Sequence, residues 1–115
     1  MQEIRDFIAV SNNIKAAHWL TNSYAEHKAL GKFYDGLNDL LDSFVETYQG
    51  KYGRVDVSGV IAIGNEESGK MLCNIVYVTA QQLEEKFDKT DTDLLNILAD
   101  IKGLANHTKY LLTLE

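Results

Sequence analysis

Residues 23–50 read SYAEHKALGKFYDGLNDLLDSFVETYQG. Within them Leu30, Phe33, Tyr34, Leu37, Leu40, Leu41, Phe44, Val45 and Tyr48 recur at spacings of three and four. Such spacing puts them on one side of an α-helix, as one wide apolar stripe. Ser23 and Glu26 form the S-x-x-E pattern of a capping box, in which the serine oxygen accepts from the Glu26 amide and the glutamate reaches back to the Ser23 amide. The helix therefore starts near Tyr24. Gln49-Gly50-Lys51-Tyr52-Gly53 ends it, with Gly50 as a left-handed cap.

A single stripe must be covered by others, and three more segments supply them. From about Gln2 to Leu20, Ile4, Phe7, Ile8, Ile14, Ala17 and His18 share a face, although Ser11-Asn12-Asn13 weakens the middle by competing for backbone hydrogen bonds. Met71 to about Phe87 carries Leu72, Ile75, Val76, Thr79, Leu83 and Phe87 at helical spacing. Asp88-Lys89-Thr90-Asp91 is a turn with capping residues. A last helix then runs from about Thr92 to Leu114, with Leu94, Leu95, Ile97, Leu98, Ile101, Leu104, Ala105, Thr108, Leu111 and Leu112 facing inward. The links are short, long, short. The long one, 51–69, holds Val55, Val57, Val60, Ile61 and Ile63, which suit either a short strand or one packed turn. Its length lets the second and third helices run parallel through a crossover connection.

The chain has 115 residues, 45% of them hydrophobic, which suits one domain (1–115) with one core. Proline is absent, so nothing forces a break inside a helix. The formal charge of −6 repels phosphate backbones, and nucleic-acid binding is not expected. The lone Cys73 has no disulfide partner in the chain. No apolar run reaches the roughly 18 residues that span a membrane, and no secretory leader is evident. A cytoplasmic protein is expected. Walker, G-x-S-x-G and G-x-G-x-x-G patterns do not occur.

Histidines stand at 18, 27 and 107, and the second helix carries Asp35, Asp39, Asp42 and Glu46. Histidine and carboxylate together suit iron, manganese or zinc. At about 100° per residue, with His27 at zero, Asp42 falls near +60°, Glu46 near +100° and the apolar stripe near −75°. The acidic row thus points away from the bundle's own core. If Asp42 and Glu46 hold an ion, their remaining ligands come from another subunit. A solvated face is the ordinary alternative for such a row. His107 reads as structural or exposed.

The run His18-Trp19, then His27, then Asp42-x-x-x-Glu46 resembles the Dps family, the mini-ferritins of the ferritin-like superfamily, in a reduced, phage-type form. An H-W pair near the end of the first helix, a second histidine opening the next, an aspartate fifteen residues on and a glutamate four further are that family's spacing. Four departures are visible: the link between His18 and His27 is three residues shorter, Gly31 replaces a further carboxylate, there is no Lys-rich arm, and the chain is much shorter than typical members, with 51–69 not clearly supplying their crossover helix.

The resemblance implies an all-α, short ferritin-like four-helix bundle that assembles as a homo-oligomer, at least a two-fold dimer. It also implies an intersubunit metal site of His18, His27, Asp42 and Glu46, taking iron, with zinc as surrogate. Weak ferroxidase activity would follow from these ligands, with no catalytic residue beyond them. Trp19 would be a nearby radical-quenching aromatic. The other expectation is a non-enzymatic acidic interaction protein on a degenerate ferritin-like scaffold, engaging a basic protein partner.

Overall fold

The apolar stripes become four helices: α1 (Gln2–Leu20), α2 (Tyr24–Tyr52), α3 (Gly69–Glu84) and α4 (Thr92–Leu111). The computed structural model describes residues 1–59 and 68–114. Val60, Ile61 and Ile63 of the long link lie outside them, while 53–59, with Val55 and Val57, forms neither strand nor helix.

Each helix end has a local cause. Ser23 accepts from the Glu26 amide at 3.2 Å, as the capping pattern requires. The reciprocal arm is replaced, since the Ser23 amide donates to the Thr21 hydroxyl instead. Helix α2 runs past Gly50 and stops at Gly53, whose φ of 102° few residues other than glycine tolerate. Ser68 caps α3 through the Met71 amide. Helix α3 ends earlier than expected, so Phe87 lies in the following turn. The Ser11-Asn12-Asn13 stretch stays helical because Ser11 points inward and donates to Asn38 Oδ1 on α2 at 3.0 Å.

Neighbours around the bundle are α1 with α2 and α3, and α4 with α2 and α3. Cross-links fix their directions. Glu3 meets Lys86, Glu84 meets Lys102, and Lys51 reaches both Asp91 and Asp93. The Glu3 and Lys51 pairs tie the start of one helix to the end of another, so α1 runs antiparallel to α3 and α2 to α4, while Glu84 at the end of α3 meets the middle of α4. One cluster of buried side chains fills the centre, including Ile4, Phe7, Phe33, Leu37, Phe44, Val76, Leu98 and Ile101. Burying such a side chain contributes about 1.5–3 kcal/mol. The polar groups that enter this core are satisfied: Thr79 donates to the Ile75 carbonyl at 2.7 Å. None of the helices of the described residues is long and apolar enough to cross a membrane.

At the end where α1 and α4 begin, Asp91 organises the chain. It accepts from the Tyr52 hydroxyl at 2.7 Å and from the Asp88 amide, and pairs with Lys51. It makes no side-chain cap of its own helix. The Lys51 and Tyr52 hydrogen bonds hold its carboxyl below the ordinary range despite burial. For Glu3, burial pushes the carboxyl up, but the Lys86 hydrogen bond and charge and a backbone amide outweigh it, and the net shift is down.

Carboxyls depressed in the fold take up protons in the unfolded chain first, below about pH 4. Stability is therefore full above that value and falls as pH drops through the folded values. In Asp91→Asn, urea unfolding followed between roughly pH 5 and pH 2 is expected to show a shallower acid decline than wild type. Parallel curves would remove Asp91 from this role.

Candidate functional site

The chain turns from α1 to α2 through Thr21, Asn22 and Ser23 only. That short link brings His18, in the last turn of α1, beside His27, in the first turns of α2. Their rings stack with centroids 3.9 Å apart and planes inclined by 14°. Nδ1 of His18 donates to the His27 carbonyl at 2.6 Å, and Nδ1 of His27 donates to the His18 carbonyl at 2.8 Å. A carbonyl only accepts, so both Nδ1 atoms carry the hydrogen. The two imidazoles form a reciprocal clasp across the turn.

Gly31 makes room for this clasp. A Cβ there would lie 2.9 Å from Cε1 and 3.2 Å from Nδ1 of His18. The missing side chain is thus a packing requirement, and the space a further carboxylate would occupy is filled by an imidazole.

The four residues of the expected intersubunit metal site lie as two separate pairs in one chain. His18 and His27 meet. Asp42 and Glu46 are exposed on α2, about 22 and 28 Å along its axis from His27 at 1.5 Å per residue. Within one chain the two pairs are far apart. The histidines also do not converge on one ion. Each Nε2 lone pair lies in its ring plane, and two nearly parallel planes at this separation do not meet within the roughly 2 Å of a metal–nitrogen bond. Among the described residues no group of three or more His, Cys, Asp or Glu side chains forms a metal-binding cluster. His107 is exposed, with its ring 6.5 Å from that of Tyr110. Cys73 is buried, which pushes its thiol up to about 11 and leaves it un-ionised at neutral pH.

What the clasp does hold in place is an exposed apolar and aromatic tip. Trp19 is 66% exposed, Leu20 67% and Tyr24 73%. Lysines attend them: Lys15 Nζ lies 5.1 Å from the Trp19 ring and 5.4 Å from that of Tyr34, and Lys28 lies 5.8 Å from Tyr24. Beside the tip, a cleft of about 170 Å³ runs between the start of α2 and the end of α4, lined by Ala25, Lys28, Ala29, Lys32, Leu111 and Leu114. Helical periodicity did not reveal the tip, because Trp19 and Leu20 continue an amphipathic helix. The signal that could have found it is three large side chains flanking Thr21-Asn22-Ser23, a turn too short to cover them.

A family model described as "Family of unknown function (DUF5856)" matches residues 18–112, and the chain belongs to that family. It is also 29% identical over 103 residues to an uncharacterized 14.6 kDa protein of the mobD-ri intergenic region of Enterobacteria phage T4, covering 87% of this chain and 77% of that one. No solved structure matches it. The resemblance to Dps mini-ferritins is thereby corrected. The family shown is a different one, and the H-W pair with the His27, Asp42 and Glu46 spacing does not mark a ferritin relative. Histidines spaced to close a helical turn give the same pattern as histidines spaced to hold iron.

Gly31 and Gly103 give a paired test of the clasp. A methyl at Gly103 meets nothing within 4 Å, so Gly103→Ala is expected to gain up to about 1 kcal/mol from helix propensity. Gly31→Ala gains the same propensity but forces the clamped His18 ring aside, at a cost of about 1–3 kcal/mol, for a net loss. Urea unfolding of both variants decides it. Equal gains would show that the imidazole stack is not held tightly.

Proposed function

We propose that this member of the DUF5856 family is a non-enzymatic interaction protein whose contact surface is the α1–α2 tip. The single observation that carries this reading is the exposure of Trp19, Leu20 and Tyr24 together on a turn held by the His18–His27 clasp. Tryptophan and tyrosine are the side chains most enriched where binding energy concentrates. A rigid display also lowers the ordering cost of association, since the tip is set before the partner arrives.

The partner this tip fits is a protein surface with an apolar pocket and an acidic border. Lys15, Lys28 and Lys32 surround the exposed rings, and opposite charge on the partner would speed encounter. Apart from Glu26 in the first turn of α2, many of the chain's acidic residues lie elsewhere, along Asp35, Asp39, Asp42 and Glu46 of α2 and around the start of α4. A basic partner of the kind the net charge suggests would meet those regions, not the tip.

The reading includes a crossover connection between α2 and α3. Its support is Gly69, which opens α3. A Cβ placed there would meet Leu30, near the start of α2, and Leu112, at the end of α4. Helices that begin at the same end run parallel. The start of α3 then lies at the tip's end of the bundle.

Trp19 is the only tryptophan, so its fluorescence reports on the tip alone. A photoreactive residue at position 20, compared with one at position 103, is expected to capture a protein partner from lysate of the cells in which the protein is naturally made. Adding Trp19→Ala should weaken that capture about thirtyfold, the equivalent of a hot spot of ~2 kcal/mol. Partner binding should also move the Trp19 emission to shorter wavelength. Equal adducts from positions 20 and 103, unaffected by Trp19→Ala, would sink the reading.

A further inference from the structure

A second feature lies at the opposite end of the bundle, where α2 ends and α4 begins. A cavity of about 260 Å³ opens there, and Tyr48, Tyr52 and Phe87 line it together with Met1, Lys86, Asp88 and Asp91. The Tyr52 and Phe87 rings are 6.3 Å apart and inclined by only 26°. Tyr48 stands at 69° to Phe87, at 6.0 Å, and at 45° to Tyr52, at 5.3 Å. Three aromatic rings thus border one cavity, and a cation over the face of any of them within roughly 6 Å would be attracted by its π-system.

The charged groups around it, Lys51, Lys86, Asp88, Asp91 and the α-ammonium of Met1, are largely engaged within the chain. Asp91 fixes Tyr52 through the 2.7 Å bond from its hydroxyl. Among the described residues Asp88 forms no ion pair, so its carboxylate is uncommitted at the mouth. Lys86 also lines the cavity, but its ammonium is engaged by Glu3 at 2.8 Å. Lys51 already lies 5.7 Å from the Tyr52 ring, so one face of this cluster carries an ammonium group in the chain itself. The cavity is smaller than the 300–1,000 Å³ typical of sites for whole small molecules. It suits one side-chain head group.

We propose that this aromatic and acidic pocket binds the ε-ammonium group of a lysine, most tightly when methylated, presented by a basic protein segment. Methylation removes the donors that hold water and spreads the charge over methyl groups, which the ring faces attract without a matching hydrogen bond. The overall charge of −6 draws such a segment toward the protein. The pocket is independent of the α1–α2 tip, and its partner chemistry is the reverse of the tip's.

The test uses the full chain and three probes, the Nα-acetyl, N-methylamide forms of lysine, Nε-trimethyl-lysine and norleucine, followed by NMR at millimolar concentration. The trimethyl-lysine probe is expected to bind most tightly, with its ε-methyl protons moved upfield by the rings. Norleucine, which keeps the alkyl stem but lacks the charged head group, should bind about tenfold more weakly than the trimethyl form. Phe87→Leu should abolish the upfield shift. Asp88→Asn, at an exposed position that leaves the core intact, should weaken lysine-probe binding several-fold, so the proposal stays testable if Phe87→Leu does not fold. Norleucine binding as tightly as the charged probes, no upfield shift in the wild type, or full binding by Asp88→Asn would overturn it.

Discussion

Two imidazoles that each hold the other's backbone carbonyl set the angle at which α1 turns into α2. The clasp joins side chain to main chain on both sides of a link with almost no slack. Either ring could be replaced by another flat group, but few would also donate a hydrogen bond to the opposite strand of the turn. The constraint then spreads. Gly31 must lack a side chain, because the His18 ring occupies its flank. The register of α1 against α2 is fixed, so Ser11 meets Asn38 and the Phe7 and Ile14 side chains meet the stripe from Leu30 to Phe44. Trp19, Leu20 and Tyr24, next to the clasp, are left outside.

The four helices were readable from residue spacing because their stripes are long and their caps chemically distinct. Ser23 and Ser68 cap as hydroxyls should, and the apolar positions of α2 bury as their period demands. Ends were less legible. Gly50 and Gly53 look alike as letters, and which one takes positive φ depends on where the last turn finds its tertiary partners. Here Lys51 and Tyr52 are drawn on by Asp91 and Asp93, which keeps α2 helical beyond Gly50. Asp91 itself looked like a helix cap. It is instead a tertiary acceptor, which one-dimensional spacing does not reveal.

The histidines show a different limit. Their adjacency was legible, since a three-residue link leaves residues 18 and 27 little room to separate. Their role was not. The sequence does not say which ring nitrogen faces a carbonyl, nor that the planes lie parallel, and those two facts separate a clasp from a shared chelate. Where the charges sit was not legible either: a total of −6 does not say that Lys15, Lys28 and Lys32 gather near the tip while Asp88, Asp91 and Asp93 lie with Lys51 and Lys86 at the opposite end.

The distribution of polar groups ties these points together. Those that enter the bundle are used by the fold: Thr79 on a helix carbonyl, Ser11 on Asn38, Glu3 on Lys86, Asp91 on Tyr52 and Lys51. Among the described residues no buried side-chain nitrogen or oxygen lacks a partner. Groups poised for reaction in other proteins tend to be left with perturbed protonation in a cleft. Here the shifts have structural causes: burial for Cys73, and the hydrogen bonds of Lys51 and Tyr52 for Asp91. What the fold leaves uncommitted is aromatic surface, gathered at the two ends of the helices and bordered by lysine at one end and aspartate at the other. Aromatic surface with a charged border discriminates between partners by sign and shape, and a bundle about 43 Å long holds its two ends too far apart for one small ligand to bridge them.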